Sequence, residues 1–262
     1  MNNKEAKLQA ISRLLGIMDD LRTSCPWDKK QTFESLRKLS IEETYELADA
    51  IIKKDKTAIK EELGDLLLHI VFYAKLGEET DDFDFADVAN GICEKLIYRH
   101  PHIYGDTTVV DANEVLENWE KLKLKEKKNK RVLDGVPNTL PALIKANRIQ
   151  EKVKGVGFDW DKKEQVWEKV EEELEELKVE MQKENNIDKT EAEFGDLLFS
   201  MINAARLYGI DPEIALERTN KKFTKRFNYL EEKTITKGKS LHQMSLDEMN
   251  KIWEEAKTKD NA

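Results

Sequence analysis

Glu62-Leu63-Gly64-Asp65-Leu66-Leu67 returns 131 residues later as Glu193-Phe194-Gly195-Asp196-Leu197-Leu198. That recurrence decides the fold, because other blocks return in the same order around it. Trp27-Asp28-Lys29-Lys30 returns as Trp160-Asp161-Lys162-Lys163, Glu42-Glu43-Thr44-Tyr45-Glu46-Leu47 as Glu172-Glu173-Leu174-Glu175-Glu176-Leu177, Lys95 with Arg99 as Lys222 with Arg226, and Trp119-Glu120 with Lys123 as Trp253-Glu254 with Lys257. One block could be chance in a chain rich in Glu, Lys and Leu; the ordered set could not. The chain is therefore read as a tandem duplication of one helical unit. Its expected parts are residues 1–123, a linker at 124–141, and 142–262. The linker holds the end of the basic run Lys121–Arg131 and then Gly135, Pro137, Asn138 and Pro141, all suited to irregular backbone.

Composition agrees with an all-α fold. Gly (11) and Pro (5) reach only about half their usual combined share of ~12%. Proline is absent from 27–100 and from 142–211, so long helices are permitted. Charged residues make up 37% and apolar ones 39%, as in amphipathic helices with ionic outer faces. No apolar run approaches a membrane span. The start lacks the apolar stretch of a secretory signal, and Cys25 and Cys93 show no paired-motif spacing. A cytoplasmic protein is expected. The net charge of −9 disfavours a nucleic-acid polymer as partner. A small phosphorylated ligand bound through divalent cations is still compatible with it.

Glu43 and Glu46 are three apart, as are Glu62 and Asp65, so each pair shares a helical face. Residue 54 is the midpoint of 46 and 62 and also of 43 and 65, and it lies in the polar break Lys53-Lys54-Asp55-Lys56. An antiparallel hairpin turning there sets Glu46 against Glu62 and Glu43 against Asp65. Glu173, Glu176, Glu193 and Asp196 repeat this about the Lys183–Asp188 break, where Asp188 with Glu191 reads as an N-cap and capping box. The second helix of each hairpin is apolar on most faces, so it is expected to be largely buried. Carboxylates gathered there repel and take up protons unless a cation offsets them. An all-oxygen, His-free set suits Mg²⁺, or Mn²⁺ as a substitute, and argues against zinc.

The mid-helix glycines Gly64 and Gly195 are explained either by close approach of a partner helix or by room for a metal-bound water. Lys222 and Arg226 lie on one face, as do Lys95 and Arg99, and read either as a solvated basic face or, given their recurrence beside the acids, as phosphate clamps. Trp253 and Trp119 are suited either to stacking on a base or to anchoring the fold. His100 and His102 have no counterparts in the second half and read as a structural turn.

Cys25-Pro26-Trp27-Asp28-Lys29, Glu42-Glu43-x-x-Glu46, Glu62-x-Gly64-Asp65 and Arg99-His100-Pro101-His102 resemble the N-terminal motifs of the MazG family of all-α nucleoside triphosphate pyrophosphohydrolases. Val156-Gly157-Phe158-Asp159-Trp160, Glu172-Glu173-x-x-Glu176, Glu193-x-Gly195-Asp196 and Lys222-Phe223-x-x-Arg226-Phe227 resemble its C-terminal ones. The resemblance covers nearly the whole chain. It implies Mg²⁺-dependent hydrolysis of a nucleoside triphosphate to monophosphate and pyrophosphate, in a homodimer. Carried onto these residues, Glu173, Glu176, Glu193 and Asp196 hold the metal, with Glu43, Glu46, Glu62 and Asp65 as a second set. Glu172 orients or deprotonates the attacking water, and Lys222 and Arg226 hold phosphates.

Both halves keep the acids, so other residues must distinguish them. Lys169 and Lys189, each four before an acid of the second set, face Leu39 and Ala58 in the first. If those lysines meet the phosphates, the C-terminal repeat is the main active site. Two rivals are a non-catalytic nucleotide-sensing or scaffold protein that keeps the metal site, and a prenyl-diphosphate enzyme. The second relies on Asp-Asp-x-x-Asp clusters, whereas after Asp81-Asp82 the fifth position of that pattern is Phe85.

Overall fold

The structure, a computed structural model, describes residues 2–111, 114–115, 118–119, 122 and 131–260. Every regular element among them is helical. The chain divides into two compact units, residues 1–112 and 113–262. Residues 124–130 of the expected linker lie outside the described residues, as do Glu120 and Lys123 of the first tryptophan block. The rest of the expected linker includes a 3₁₀ turn, Val132–Gly135, whose Val132 carbonyl accepts from Lys152 Nζ at 3.4 Å.

In the first unit, α1 (Lys4–Ser24) starts where the Asn3 side chain accepts from the Ala6 amide. Helices α2 (Phe33–Lys53) and α3 (Lys56–Glu78) form the expected hairpin. Thr32 and Ser35 cap α2 reciprocally, and the Asp55 side chain accepts from the Thr57 and Ala58 amides to start α3. Then come α4 (Phe85–Arg99) and the single turn α5 (Pro101–Tyr104), joined at His100, whose Nδ1 lies 2.6 Å from the Leu96 carbonyl oxygen. The histidine pair thus shapes a turn. Helix α1 packs on α3, and Met18, Leu36, Val71, Phe72 and Leu76 close the core. Burying each such side chain stabilises by roughly 1.5–3 kcal/mol.

The second unit has α6 (Ala142–Lys154), α7 (Val166–Met181), α8 (Ile187–Leu207), α9 (Pro212–Lys233) and α10 (Leu246–Asp260). Helices α7 and α8 form its hairpin, α6 packs on α8, and α10 packs on α9. The duplication extends to the backbone of the turns. Lys54 (φ 57°) and Asn185 (φ 55°) both take the left-handed conformation that reverses the chain, 131 residues apart.

Two expectations are corrected here. Asp188 is not the N-cap of α8: the helix begins at Ile187, with Asn186 before it, and Asp188 lies in the first turn. The Asn186 amide instead donates to Glu180, and its carbonyl accepts from Thr190 Oγ1 at 2.9 Å. The acid still sits at the helix's positive end. Nor are α3 and α8 buried on most faces. Each unit covers only one side of its second hairpin helix, and Leu63, Ile70, Phe194, Leu198 and Met201 are exposed.

Candidate metal and nucleotide site

The hairpin register sets the acids side by side. Oxygens of Glu43, Glu62 and Asp65 lie within 4.8 Å of one another, and so do oxygens of Glu173, Glu193 and Asp196. Glu46 and Glu176 stand just outside these trios. They are close enough for Glu46 to raise the Glu62 pKa and for Glu176 to raise that of Glu193. For both glutamates desolvation is the largest cause of the rise, followed by the neighbouring charges. Glu43 is raised in the same way, by desolvation and then by Asp65 and Glu46. Acids pushed upward by one another's charge fit a hard divalent cation that would offset it, and the oxygen-only donor set fits Mg²⁺ or Mn²⁺.

Glycine geometry removes one of the two explanations offered for Gly64 and Gly195. A Cβ at either position would meet no atom within 4 Å, so close packing within the chain does not require them. Open space beside the acids is what they leave.

Around the trios the two repeats part company. In the second, Glu173 is buried and its carboxylate takes Lys169 Nζ at 2.7 Å; the same ammonium reaches Glu172 at 3.0 Å. Those hydrogen bonds, to Glu173 first, raise the Lys169 pKa and keep it cationic. Lys169 is therefore at the acids, as its spacing implied. Lys189 is exposed, and its charge acts on Glu180 at the hairpin turn. Arg226 lies over the Trp253 ring, 6.0 Å from its centroid, and Phe223 packs edgewise on the same ring at 5.0 Å. Arg226, Phe223 and Trp253 thus form one assembly between α9 and α10, with Lys222 exposed one turn before Arg226 on α9. In the first repeat the corresponding Arg99 is buried and Lys95 exposed.

A cavity of about 580 Å³ opens beside the second trio, shares Glu173 and Asp196 with it, and is also lined by Lys169. Its far walls include Phe158, Trp160 and Phe199. Arg206 forks onto Asp159 through both terminal nitrogens, with Nη1 to Oδ2 at 3.0 Å, and so fixes the segment that carries Phe158 and Trp160. Burial, the largest single influence, pushes the Asp159 pKa up, but the Arg206 hydrogen bond, the Trp160 backbone hydrogen bond and the charges of Arg206 and Lys154 together bring it below its ordinary value.

The first repeat carries larger side chains at the equivalent positions. At the 131 offset, His69 stands where Ser200 is, and Tyr73 where Ala204 is. Ser40 Oγ lies 2.7 Å from His69 Nδ1 and 2.9 Å from Tyr73 Oη, and Phe33 stacks on Tyr73 at 5.8 Å. An opening beside the first acids touches Glu62 alone of that trio, and Glu42, Glu46, Asp49 and Asp55 outnumber Lys53, itself paired to Asp49 at 2.6 Å, on its wall. Such a lining repels a polyanion.

Comparison with known proteins agrees with this geometry. The MazG nucleotide pyrophosphohydrolase domain is found twice, at residues 31–104 and 162–230, once around each hairpin. The chain belongs to the MazG family. It is 41% identical over 258 residues, covering 95% of this chain and 98% of the relative, to the nucleoside triphosphate pyrophosphohydrolase of Escherichia coli K12. It is 44% identical, over 97% of this chain and 98% of the relative, to the nucleoside triphosphate pyrophosphohydrolase/pyrophosphatase MazG of Thermotoga maritima. An uncharacterized Bacillus subtilis protein, YabN, is 47% identical over 97% of this chain, which spans 53% of its length. No helix among the described residues is long and apolar enough to cross a membrane.

The cavity walls were not read from the sequence. Phe158 and Trp160 belong to quoted motifs, but Gln150, Asn203 and Arg206 do not. The available signal was the exchange of large for small residues, His69 for Ser200 and Tyr73 for Ala204, between otherwise matching helices.

Proposed function

We propose that the second repeat hydrolyses nucleoside triphosphates to monophosphate and pyrophosphate in a Mg²⁺-dependent reaction, with Mn²⁺ as a substitute. One observation carries the reading: a carboxylate trio and an aromatic-walled cavity share Glu173 and Asp196 there. Glu173, Glu193 and Asp196 would hold the metal, with Glu176 beside them. Mg²⁺ bound there would offset the triphosphate charge and polarise the attacked phosphorus.

The remaining work falls to side chains of the chain itself. Glu172 is more than half exposed and paired to Lys169 at 3.0 Å, so its carboxylate is free on one side to orient a water and take its proton. The Lys169 ammonium, shared between two carboxylates, is placed to transfer a hydrogen bond to a phosphate oxygen once a cation competes for Glu173. Lys222, Arg226 and Lys189 supply further positive charge for the phosphates and the departing pyrophosphate, and Trp253 orders Arg226. Positioning and charge stabilisation dominate such a transfer.

A cytoplasmic homodimer is part of the proposal. The exposed Phe194, Leu198 and Met201 on α8 are an apolar face of the kind a second copy covers. Light scattering measures the assembly, and a monomer at all concentrations would overturn it. The test of the reaction is incubation with each triphosphate and Mg²⁺, scoring products. Pyrophosphate with monophosphate is expected. Orthophosphate as first product would overturn the chemistry, and Mg²⁺-dependent binding without turnover would favour a nucleotide sensor.

A further inference from the structure

The cavity wall contains a polar atom that the hydrolysis does not use. Gln150 on α6 is 3% exposed. Its Nε2 donates to the Phe199 carbonyl at 2.8 Å. That bond fixes the amide, because the reverse orientation would set two carbonyl oxygens against each other. Gln150 Oε1 is then an acceptor shielded from bulk water, and it alone among buried side-chain atoms of the described residues has no hydrogen-bond partner. Folded proteins leave few such atoms, since each loses its hydration without a replacement. Gln150 lines the cavity, so a donor brought by an occupant is what can pair it as the wall settles on that occupant.

The other walls say what the occupant is. Phe158, Trp160 and Phe199 offer faces and edges for a planar ring. The charges nearby are already committed: Arg206 is held by Asp159 and by Asn203 Oδ1, at 3.1 Å from Nε and 2.7 Å from Nη2. What remains for recognition is neutral, the Gln150 acceptor and the Asn203 amide nitrogen. A neutral heterocycle with an N–H on its edge matches that lining better than a sugar or a phosphate.

We infer that this cavity takes the base of the substrate nucleotide and that Gln150 Oε1 accepts a hydrogen bond from a base N–H, which makes Gln150 a specificity-determining residue. The inference rests on the proposed hydrolysis at the second trio, with Glu173 and Asp196 at the phosphate end of the same cavity. In the first repeat, larger side chains, His69 and Tyr73, stand at the positions of Ser200 and Ala204 and are bonded to Ser40.

The test compares each natural triphosphate with an analogue whose base has lost a donor group: purine riboside for adenosine, inosine for guanosine and pyrimidin-2-one riboside for cytidine, each without the exocyclic amino group, and N3-methyluridine for uridine, with the N3–H replaced by methyl. In the wild type, kcat/KM is expected to fall about tenfold or more for at least one pair, because the analogue leaves a buried acceptor unpaired. In Gln150→Leu that pair should differ by less than about threefold. Ser200→Phe, which fills the cavity from the opposite helix, should raise KM for every nucleotide. Equal turnover within all wild-type pairs, or an unchanged ratio in Gln150→Leu, overturns the role of Gln150. No pyrophosphate from any triphosphate would instead overturn the hydrolysis reading on which it rests.

Discussion

The two repeats keep the same acids in the same register and differ in what stands behind them. Behind Glu43 and Asp65, the Ser40 hydroxyl bonds to both the His69 and Tyr73 side chains. Behind Glu173 and Asp196, Ser200 and Ala204 leave room and a cavity reaches the carboxylates. After duplication, a metal-binding hairpin can be kept for its fold in one copy and for its chemistry in the other. The acids do not distinguish the copies; the proposed division of labour rests on the volume behind them.

The largest expected effect comes from disabling each trio in turn. Glu193→Gln with Asp196→Asn should lower kcat for pyrophosphate release on the order of a hundredfold or more, the scale of losing charge stabilisation at a transition state. Glu62→Gln with Asp65→Asn should change it less than about threefold. Comparable losses in steady-state kinetics would break the comparison. Lys169→Met should cost roughly tenfold in kcat/KM and leave the buried Glu173 without its partner at 2.7 Å.

Stability sharpens the same contrast. Tyr73→Ala empties a packed interior and should destabilise the chain by about 2–4 kcal/mol in denaturant titration. Its counterpart Ala204→Gly should cost about 1 kcal/mol, mostly helix propensity.

The carboxylates also set a pH dependence. Burial and neighbouring acids raise the pKa of Glu43, Glu62 and Glu193 in the folded state. A raised folded pKa means that the folded chain binds protons more tightly than the unfolded chain. Stability therefore falls as pH rises from the ordinary carboxylate range through the raised values, and the deficit persists above them. Mg²⁺ should offset the deficit, raising Tm by ~5 °C near neutral pH. The rise should shrink at about pH 4, where protons compete for the same oxygens. A Tm that ignores Mg²⁺ at neutral pH would contradict the metal site. The smallest effect belongs to Gly195→Ala, which should stabilise by roughly 0.5–1 kcal/mol, since the added methyl meets nothing within 4 Å. If the space there serves the bound substrate, turnover falls while stability rises.

Much of this was legible in the sequence because it depends on spacing. The hairpin turn at residue 54 follows from the mirror positions of 43, 46, 62 and 65, and the turn residues Lys54 and Asn185 share the same left-handed backbone. Helix limits were less legible: Asp188 looks like a cap, but its neighbour Asn186 precedes the helix, and only the fold shows Glu180 holding that amide. The apolar runs of α3 and α8 imply burial, yet a run cannot say which side its own unit covers, so Leu63 and Leu198 came out exposed. The cavity was hardest to read. It depends on contacts between residues far apart in sequence, Gln150 with Phe199 and Asp159 with Arg206, which no local pattern announces.

Calorimetric titration with a non-hydrolysable α,β-methylene nucleoside triphosphate in saturating Mg²⁺ tests the central claim most directly. One nucleotide per chain is expected, lost in Glu193→Gln with Asp196→Asn and retained in Glu62→Gln with Asp65→Asn. Two nucleotides per chain, or loss of binding on disabling the first trio, would contradict it.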